Sequence, residues 1–347
     1  MAKINDIRKL FDNGFNESEE WTDWYFSKVY NDDNALLSQS NSQPASCLML
    51  EPYRLKLADR TVDMSYLSCA TTARQLRGQG HMSRLINDAL MEAASRGHAL
   101  VALIPASTRL YFFYDRFDFS TIFYADEHRY TSLHNFICDD SYVEVEPLFE
   151  HFTALESSLR SVVLHSEQNF ENVIMDNQLD RGAVISIADR ATAAPAAMLF
   201  ATIGEHAAVV REILTVSEAA TDSILHLLRQ RIGERMIIVR TAPSDNLLML
   251  RSNGMGRIVS VEKLLEAIAS QYPATDQVIR VRDRVLPDNN AIFIIHNGKV
   301  ERVSSTMRRV TLDVGIDTLA KIIFNSKRIG ETFSLPTFRP SMSLMLD

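Results

Sequence analysis

Two short runs carry residue types and spacing suited to chemistry. The first is Ala70-Thr71-Thr72, followed shortly by Leu76-Arg77-Gly78-Gln79-Gly80-His81-Met82-Ser83-Arg84. A helix that opens just after paired glycines exposes backbone N–H groups and the positive end of its dipole, and the glycines let a diphosphate approach the main chain. Arg77 and Arg84 can add charge-assisted bonds to the same phosphates. A plain strand-to-helix turn uses glycine in the same way, so the glycines alone do not decide between the two. The second run is aromatic: Tyr111-Phe112-Phe113-Tyr114-Asp115-Arg116-Phe117-Asp118-Phe119. Its Tyr111, Phe112 and Phe113 read as a core cluster.

The elements that must position these runs follow from periodicity. Met82, Leu85, Ile86, Ala89, Leu90, Ala93 and Ala94 lie on one face of a helix that Gly97 closes. Residues 99–104 (ALVALI) are too short and too apolar for a surface helix, and predict a buried strand ended by Pro105. Extended runs at 35–39, 47–50 and 63–69 precede the glycines, and Ile7, Leu10, Phe11 and Phe15, then Trp21, Trp24, Tyr25, Phe26 and Val29, mark two opening helices. Strand, glycine turn, helix, buried strand is an α/β arrangement. A second block, about 143–259, repeats the alternation without the glycines, with helices at 148–159 and 221–232 and strands at 182–188, 197–203 and 236–240. A third block opens with the helix VEKLLEAIASQY. It continues in extended runs at 277–282, 291–296, 300–304 and 309–312, with a hairpin turn at Asn297-Gly298, and ends in a helix at 316–324 and an apolar tail.

Composition narrows the class. The 347 residues are 46% hydrophobic and 23% charged, as in ordinary globular chains, and length allows two or three domains. A net charge of -8 gives no sequence-wide attraction for nucleic acid. The start, MAKINDIRKLF, has no apolar signal core, and no run approaches the ~20 apolar residues of a membrane span. Cys47, Cys69 and Cys138 stand far apart, without ligand spacing, so neither a metal site nor a disulfide framework is expected. Together these predict a cytoplasmic protein. No G-x-S-x-G elbow supports nucleophilic hydrolysis.

The glycine run resembles the R-x-x-G-x-(G/A) pyrophosphate loop of the GNAT (Gcn5-related N-acetyltransferase) superfamily. The register Arg77-x-x-Gly80-x-Met82 puts Leu85-Ile86 at the family's paired aliphatics, with Met82 in place of a small residue. A literal match also exists at Gln75-x-x-Gly78-x-Gly80. The aromatic run resembles the family's Y-x-x-x-G-F segment, with Tyr114 as its tyrosine and Asp118 where glycine is usual. Tandem acetyltransferase-like domains followed by a smaller domain resemble the Eis (enhanced intracellular survival) type. There the middle domain is a degenerate copy and the last is similar to sterol carrier proteins. Residues 278–283 with Asn289-Asn290-Ala291 resemble that type's V-x-D…N-x-G stretch.

This resemblance implies a GNAT-like mixed sheet flanked by helices (α/β, or α+β), with domains at 1–135, 136–259 and 260–347. The last would be a small α+β sterol-carrier-like domain. It implies transfer of an acetyl group from acetyl-CoA to a primary amine of a small molecule or peptide. Ala70, Thr71, Thr72, Arg77, Gly78, Gln79, Gly80, His81 and Met82 would bind acetyl-CoA. Tyr114 would protonate the departing thiolate, and the terminal carboxylate of Asp347 would take the amine's proton. The family includes closed assemblies, which leaves a homo-oligomer open. The rival expectation is a non-catalytic binding protein whose third block encloses an apolar ligand.

Overall fold

The apolar face of Ile7, Leu10 and Phe11 forms α1 (Ala2–Gly14), as expected from its spacing. Ser18 caps α2 (Glu19–Trp24) by accepting the Trp21 N–H at 3.1 Å, with Glu19 and Glu20 suitably placed against the helix dipole. The chain then passes through a π-helical turn, Tyr25–Val29. The structure, a computed structural model, describes residues 2–244, 248–325 and 327–346. These form two units, one from residues 1–123 with 253–339 and one from residues 124–252 with 340–346.

In the first unit β1 (Ala35–Ser40), β2 (Gln43–Leu57) and β3 (Arg60–Thr72) form an antiparallel meander. Helix α3 (His81–Ser95) then crosses to β4 (Leu100–Leu103), parallel to β3. The expected stripe of α3, Leu85, Ile86, Ala89, Leu90 and Ala93, is buried. Each large aliphatic there contributes about 1.5–3 kcal/mol. Every residue of β4 is buried, which explains its unbroken apolar sequence. Helix α4 (Thr108–Asp115) follows, and β5 (Ser120–Tyr130) carries the chain onward.

The second unit contains β6 (Tyr142–Val145), α5 (Phe149–Ser158), β7 (Ser161–Leu164), α6 (Glu167–Leu179), β8 (Ala183–Asp189), β9 (Pro195–Ile203), β10 (Ala207–Thr215), α7 (Glu218–Ile232) and β11 (Met236–Thr241). Its sheet order is β5-β11-β10-β9-β8-β6. The parallel unit β10–α7–β11 repeats β3–α3–β4, but Ser217 caps α7 where the first copy has glycine. Helix α6 and strand β10 are additions to the sequence reading. Their buried Asn172, Asp176, Asn177 and Glu212 interrupt the apolar period that would have revealed them. The apolar tail docks here: Ser341 bridges Val162, and Leu344 joins Phe152, Phe170 and Phe200 in a core cluster.

From residue 253 the chain rejoins the first unit. Strand β12 (Leu250–Ile258) pairs antiparallel with β4, and α8 (Val261–Ala269) follows. Strands β13 (Gln277–Arg282), β14 (Ile292–His296), β15 (Lys299–Val303) and β16 (Leu312–Gly315) form a second sheet in the order β15-β14-β13-β16. Asn297 and Gly298, both left-handed, make the expected hairpin. The strand expected at 309–312 begins only at Leu312, because the Thr311 hydroxyl takes the Val278 N–H at 3.0 Å in place of a regular ladder bond. Helices α9 (Ile316–Ile323) and α10 (Lys327–Phe333) complete the unit. No helix among the described residues is long and apolar enough to cross a membrane.

Candidate active site

Strands β3 and β4 pair only at Met64–Leu100, Ser65–Val101 and Tyr66–Ala102. Beyond Tyr66 they part, so the β3 edge from residue 67 to 72 has no β4 partner while its other edge stays on β2, with Thr71 opposite Cys47 and Thr72 opposite Ser46. A bulge lies within this stretch. Register shifts between Cys47 and Met49, and Cys69 has φ 53°. A left-handed non-glycine residue costs about 1–3 kcal/mol and marks a site the surroundings over-determine. The bulge turns consecutive side chains to one face. Ser68 donates to Glu51 Oε1 at 2.9 Å, the Cys69 thiol meets Tyr25 Oη at 3.4 Å, and Ala70 packs toward the α3 side.

The loop after β3 leads to an open helix N-terminus. Arg77 Nε donates to the Thr72 carbonyl at 3.1 Å, folding the loop back on the strand end. Gly78 and Gly80 have φ 79° and 81°, a region that strongly favours glycine. Gly80 is the N-cap of α3 and offers no side chain, and the first intrahelical bond runs from Arg84 N to Gly80 O at 3.1 Å. The N–H groups of His81, Met82 and Ser83 therefore point out of the helix end. Arg77 and Arg84 are exposed beside them.

Tyr114 comes from α4 and is 6% exposed, in the same cluster as Leu67 and Leu103 of the two parting strands. The Phe113 and Phe119 rings lie at 5.2 and 5.7 Å from its ring. No hydrogen bond is present at its hydroxyl among the described residues, and burial pushes the phenol up to about 12. Tyr111 and Phe113 also pack against this cluster, but Phe112 is 73% exposed. The core expectation for Phe112 is thus corrected: the helical turn that carries Tyr111 and Tyr114 inward carries Phe112 outward. Asp118, where the family pattern has glycine, takes φ 61°.

Residues 1–122 match the family described as Acetyltransferase (GNAT) domain, and residues 261–335 match the sterol carrier protein domain. The match places a GNAT acetyltransferase-like domain at residues 1–122. Its fold is similar to that of a probable N-acyltransferase from Enterococcus faecalis, at 14% identity and TM-score 0.79, over 99% of this chain and 97% of that one. It is equally similar to a GCN5-related N-acetyltransferase from Anabaena variabilis, at 17% identity and TM-score 0.79, over 99% and 97%. Eis1 from Mycobacterium abscessus aligns at 16% identity and TM-score 0.71, over 96% and 90%. No curated protein matches in sequence.

The GNAT domain also holds groups that sequence motifs did not single out. Glu51 is buried, and burial pushes its carboxyl up to about 7, with the Ser68 and Tyr25 bonds opposing the rise. Its Oε1 accepts from Ser68 at 2.9 Å and from Tyr25 at 3.4 Å. The signal for it is a lone acid inside the apolar run CLMLEPY. A cavity of about 300 Å³ opens between α1 and α2, lined by Phe11, Phe15, Asp12, Glu17, Glu19 and Arg8. Phe11 stacks on Tyr25 at 6.0 Å, and the Glu17 charge acts on Cys69, which brings this acidic cavity to the back of the bulge. Among the described residues no group of metal-ligating side chains occurs. Asp347 lies outside the described residues.

Proposed function

We propose that the protein is an N-acetyltransferase moving an acetyl group from acetyl-CoA to a primary amine. One observation carries this reading: the β3 edge past Tyr66, without a β4 partner among the described residues, leads through the short turn Arg74–Leu76 to two left-handed glycines at a helix N-terminus with no side-chain cap. In it the edge at Ala70, Thr71 and Thr72 pairs with the amides of the pantetheine arm. The N–H groups from Gly78 to Met82, including Gln79 and His81, hold the pyrophosphate with Arg77. The left-handed conformations at both 78 and 80 favour the register Gln75-x-x-Gly78-x-Gly80, in which Met82 needs no small replacement.

The amine nitrogen attacks the thioester carbonyl, the C–S bond breaks, and the thiolate takes a proton from Tyr114. A phenol held at about 12 stays protonated at neutral pH and is suited to donate. The amine's proton passes to a carboxylate. Glu51, with its proton affinity near neutrality, is our first candidate, acting through water at the bulge. The terminal carboxylate of Asp347, which the family resemblance implies as the base, is the second candidate. Carboxylates of the α1–α2 cavity suit a cationic acceptor. The binding-protein alternative would use the cavity of about 440 Å³ at the third segment, whose rim carries Asp118, Arg282, Arg284 and Asp317 beside Ile316.

The test is release of free thiol from acetyl-CoA by the purified protein with polyamines, aminoglycosides and peptides as acceptors. Amine-dependent release supports the proposal. Acetyl-CoA binding without turnover on any amine would favour the alternative.

A further inference from the structure

Arg257 is the largest fully buried side chain of the chain's described core, with no solvent exposure, and it lies far in sequence from both chemical runs. Each part of its guanidinium is engaged. Nε donates to the Phe117 carbonyl at 3.0 Å, Nη1 to the Ile258 carbonyl at 2.6 Å and Nη2 to Asp283 Oδ1 at 2.6 Å. Phe117 is bound in turn to the helix of the tyrosine: its N–H and that of Phe119 both donate to the Tyr114 carbonyl, at 2.9 and 3.4 Å. The guanidinium therefore grips the turn that ends α4.

Asp283 is built to hold the guanidinium. It also accepts the Val285 and Leu286 N–H groups at 2.9 and 3.1 Å and the Asn289 amide at 2.9 Å. Burial alone would raise its pKa, but the bond to Arg257, its charge and the Asn289 amide outweigh that and keep the carboxyl low. Asn289 closes the node by donating to the Val259 carbonyl at 3.3 Å and accepting the Val261 N–H at 3.0 Å. Two further bonds hold the same turn: Asp118 pairs with Arg284, and Ser120 Oγ donates to the Asp317 carbonyl at 2.9 Å. A buried ion pair is a weak source of stability compared with a well-packed apolar replacement, whereas its directional bonds fix geometry.

We infer that Arg257 is a positioning residue for Tyr114, held by Asp283 and Asn289, so that the sterol-carrier-like segment braces the helix carrying the proton donor. This rests on the role proposed for Tyr114. In Arg257→Lys the charge and the Asp283 pair can persist while the bond to the Phe117 carbonyl is lost. Expected is a kcat loss of about ten-fold or more with the KM for acetyl-CoA changed less than about two-fold, and no further loss when it is combined with Tyr114→Phe. Fluorotyrosine labelling supplies a readout independent of turnover: the Tyr114 resonance, assigned by its absence in Tyr114→Phe, should shift in Arg257→Lys. If Arg257→Lys does not fold, Asp118→Asn, which weakens the same turn at its pair with the exposed Arg284, should give the same pattern at smaller size. An unmoved resonance would overturn the brace, as would unchanged kcat in a folded variant or additive losses where Tyr114→Phe itself loses activity. A shifted resonance with Tyr114→Phe fully active would instead overturn the donor role and leave the brace standing.

Discussion

Ser68 donates to Glu51 Oε1 at 2.9 Å, from the position just before the left-handed Cys69. A buried carboxyl is thereby fastened to the bulge that shapes the free edge of β3. The bond links the strain of the strand to the titration of an acid, and both consequences are measurable.

Glu51→Gln separates them. The folded-state pKa of Glu51 is raised, from 4.5 to about 7, so the native protein holds more protons than the unfolded chain between those values. The associated stability is fully present below 4.5 and is lost as pH rises through about 7. Melting curves should therefore show Glu51→Gln gaining on the parent protein at pH 8 relative to pH 5. If Glu51 also takes the amine's proton, kcat falls by roughly 10²-fold and the rise of activity through neutrality disappears. A pH-independent difference in melting would contradict the buried, raised carboxyl.

Tyr114→Phe keeps the ring against Phe113 and Phe119 and removes a hydroxyl that has no hydrogen-bond partner among the described residues. Stability should change little. A kcat loss of roughly ten- to a thousand-fold is expected. Normal turnover would leave the tyrosine as packing.

Leu344→Ala removes a side chain that is 3% exposed in the cluster of Phe152, Phe170 and Phe200. It should cost about 2–5 kcal/mol of unfolding free energy by denaturant titration. Appending two residues after Asp347 spares that contact. Under the terminal-carboxylate proposal it should abolish turnover with an unchanged melting temperature. Full activity in the extended protein would remove Asp347 from the chemistry and leave Glu51.

Much of this was legible in the sequence, and for identifiable reasons. The stripe of α3 and the apolar run of β4 follow the periods of a packed helix and a doubly buried strand, and Asn297-Gly298 has the two left-handed residues its hairpin requires. Phe112 misled because an aromatic run looks uniformly apolar, while an eight-residue helix turns one of its members to solvent. Glu51 and Arg257 escaped because each owes its setting to residues distant in the chain, Ser68 and Tyr25 for one, Phe117 and Asp283 for the other. Asp118 stands where the resembled pattern has glycine and takes a left-handed backbone, φ 61°, which aspartate tolerates better than most residues.

In the proposed complex acetyl-CoA lies along the β3 edge that β4 leaves, with its phosphates at Gly78 and Gly80. Calorimetric titration of acetyl-CoA into the parent protein and into Gly80→Val tests it most directly. A β-branched side chain at φ 81° costs about 1–2 kcal/mol of stability and blocks approach to the helix N-terminus. Expected are one saturable site in the parent protein and a loss of roughly ten-fold or more in affinity, at least ~1.4 kcal/mol, in a folded Gly80→Val. No binding by the parent protein, or equal affinity in the folded variant, would contradict it.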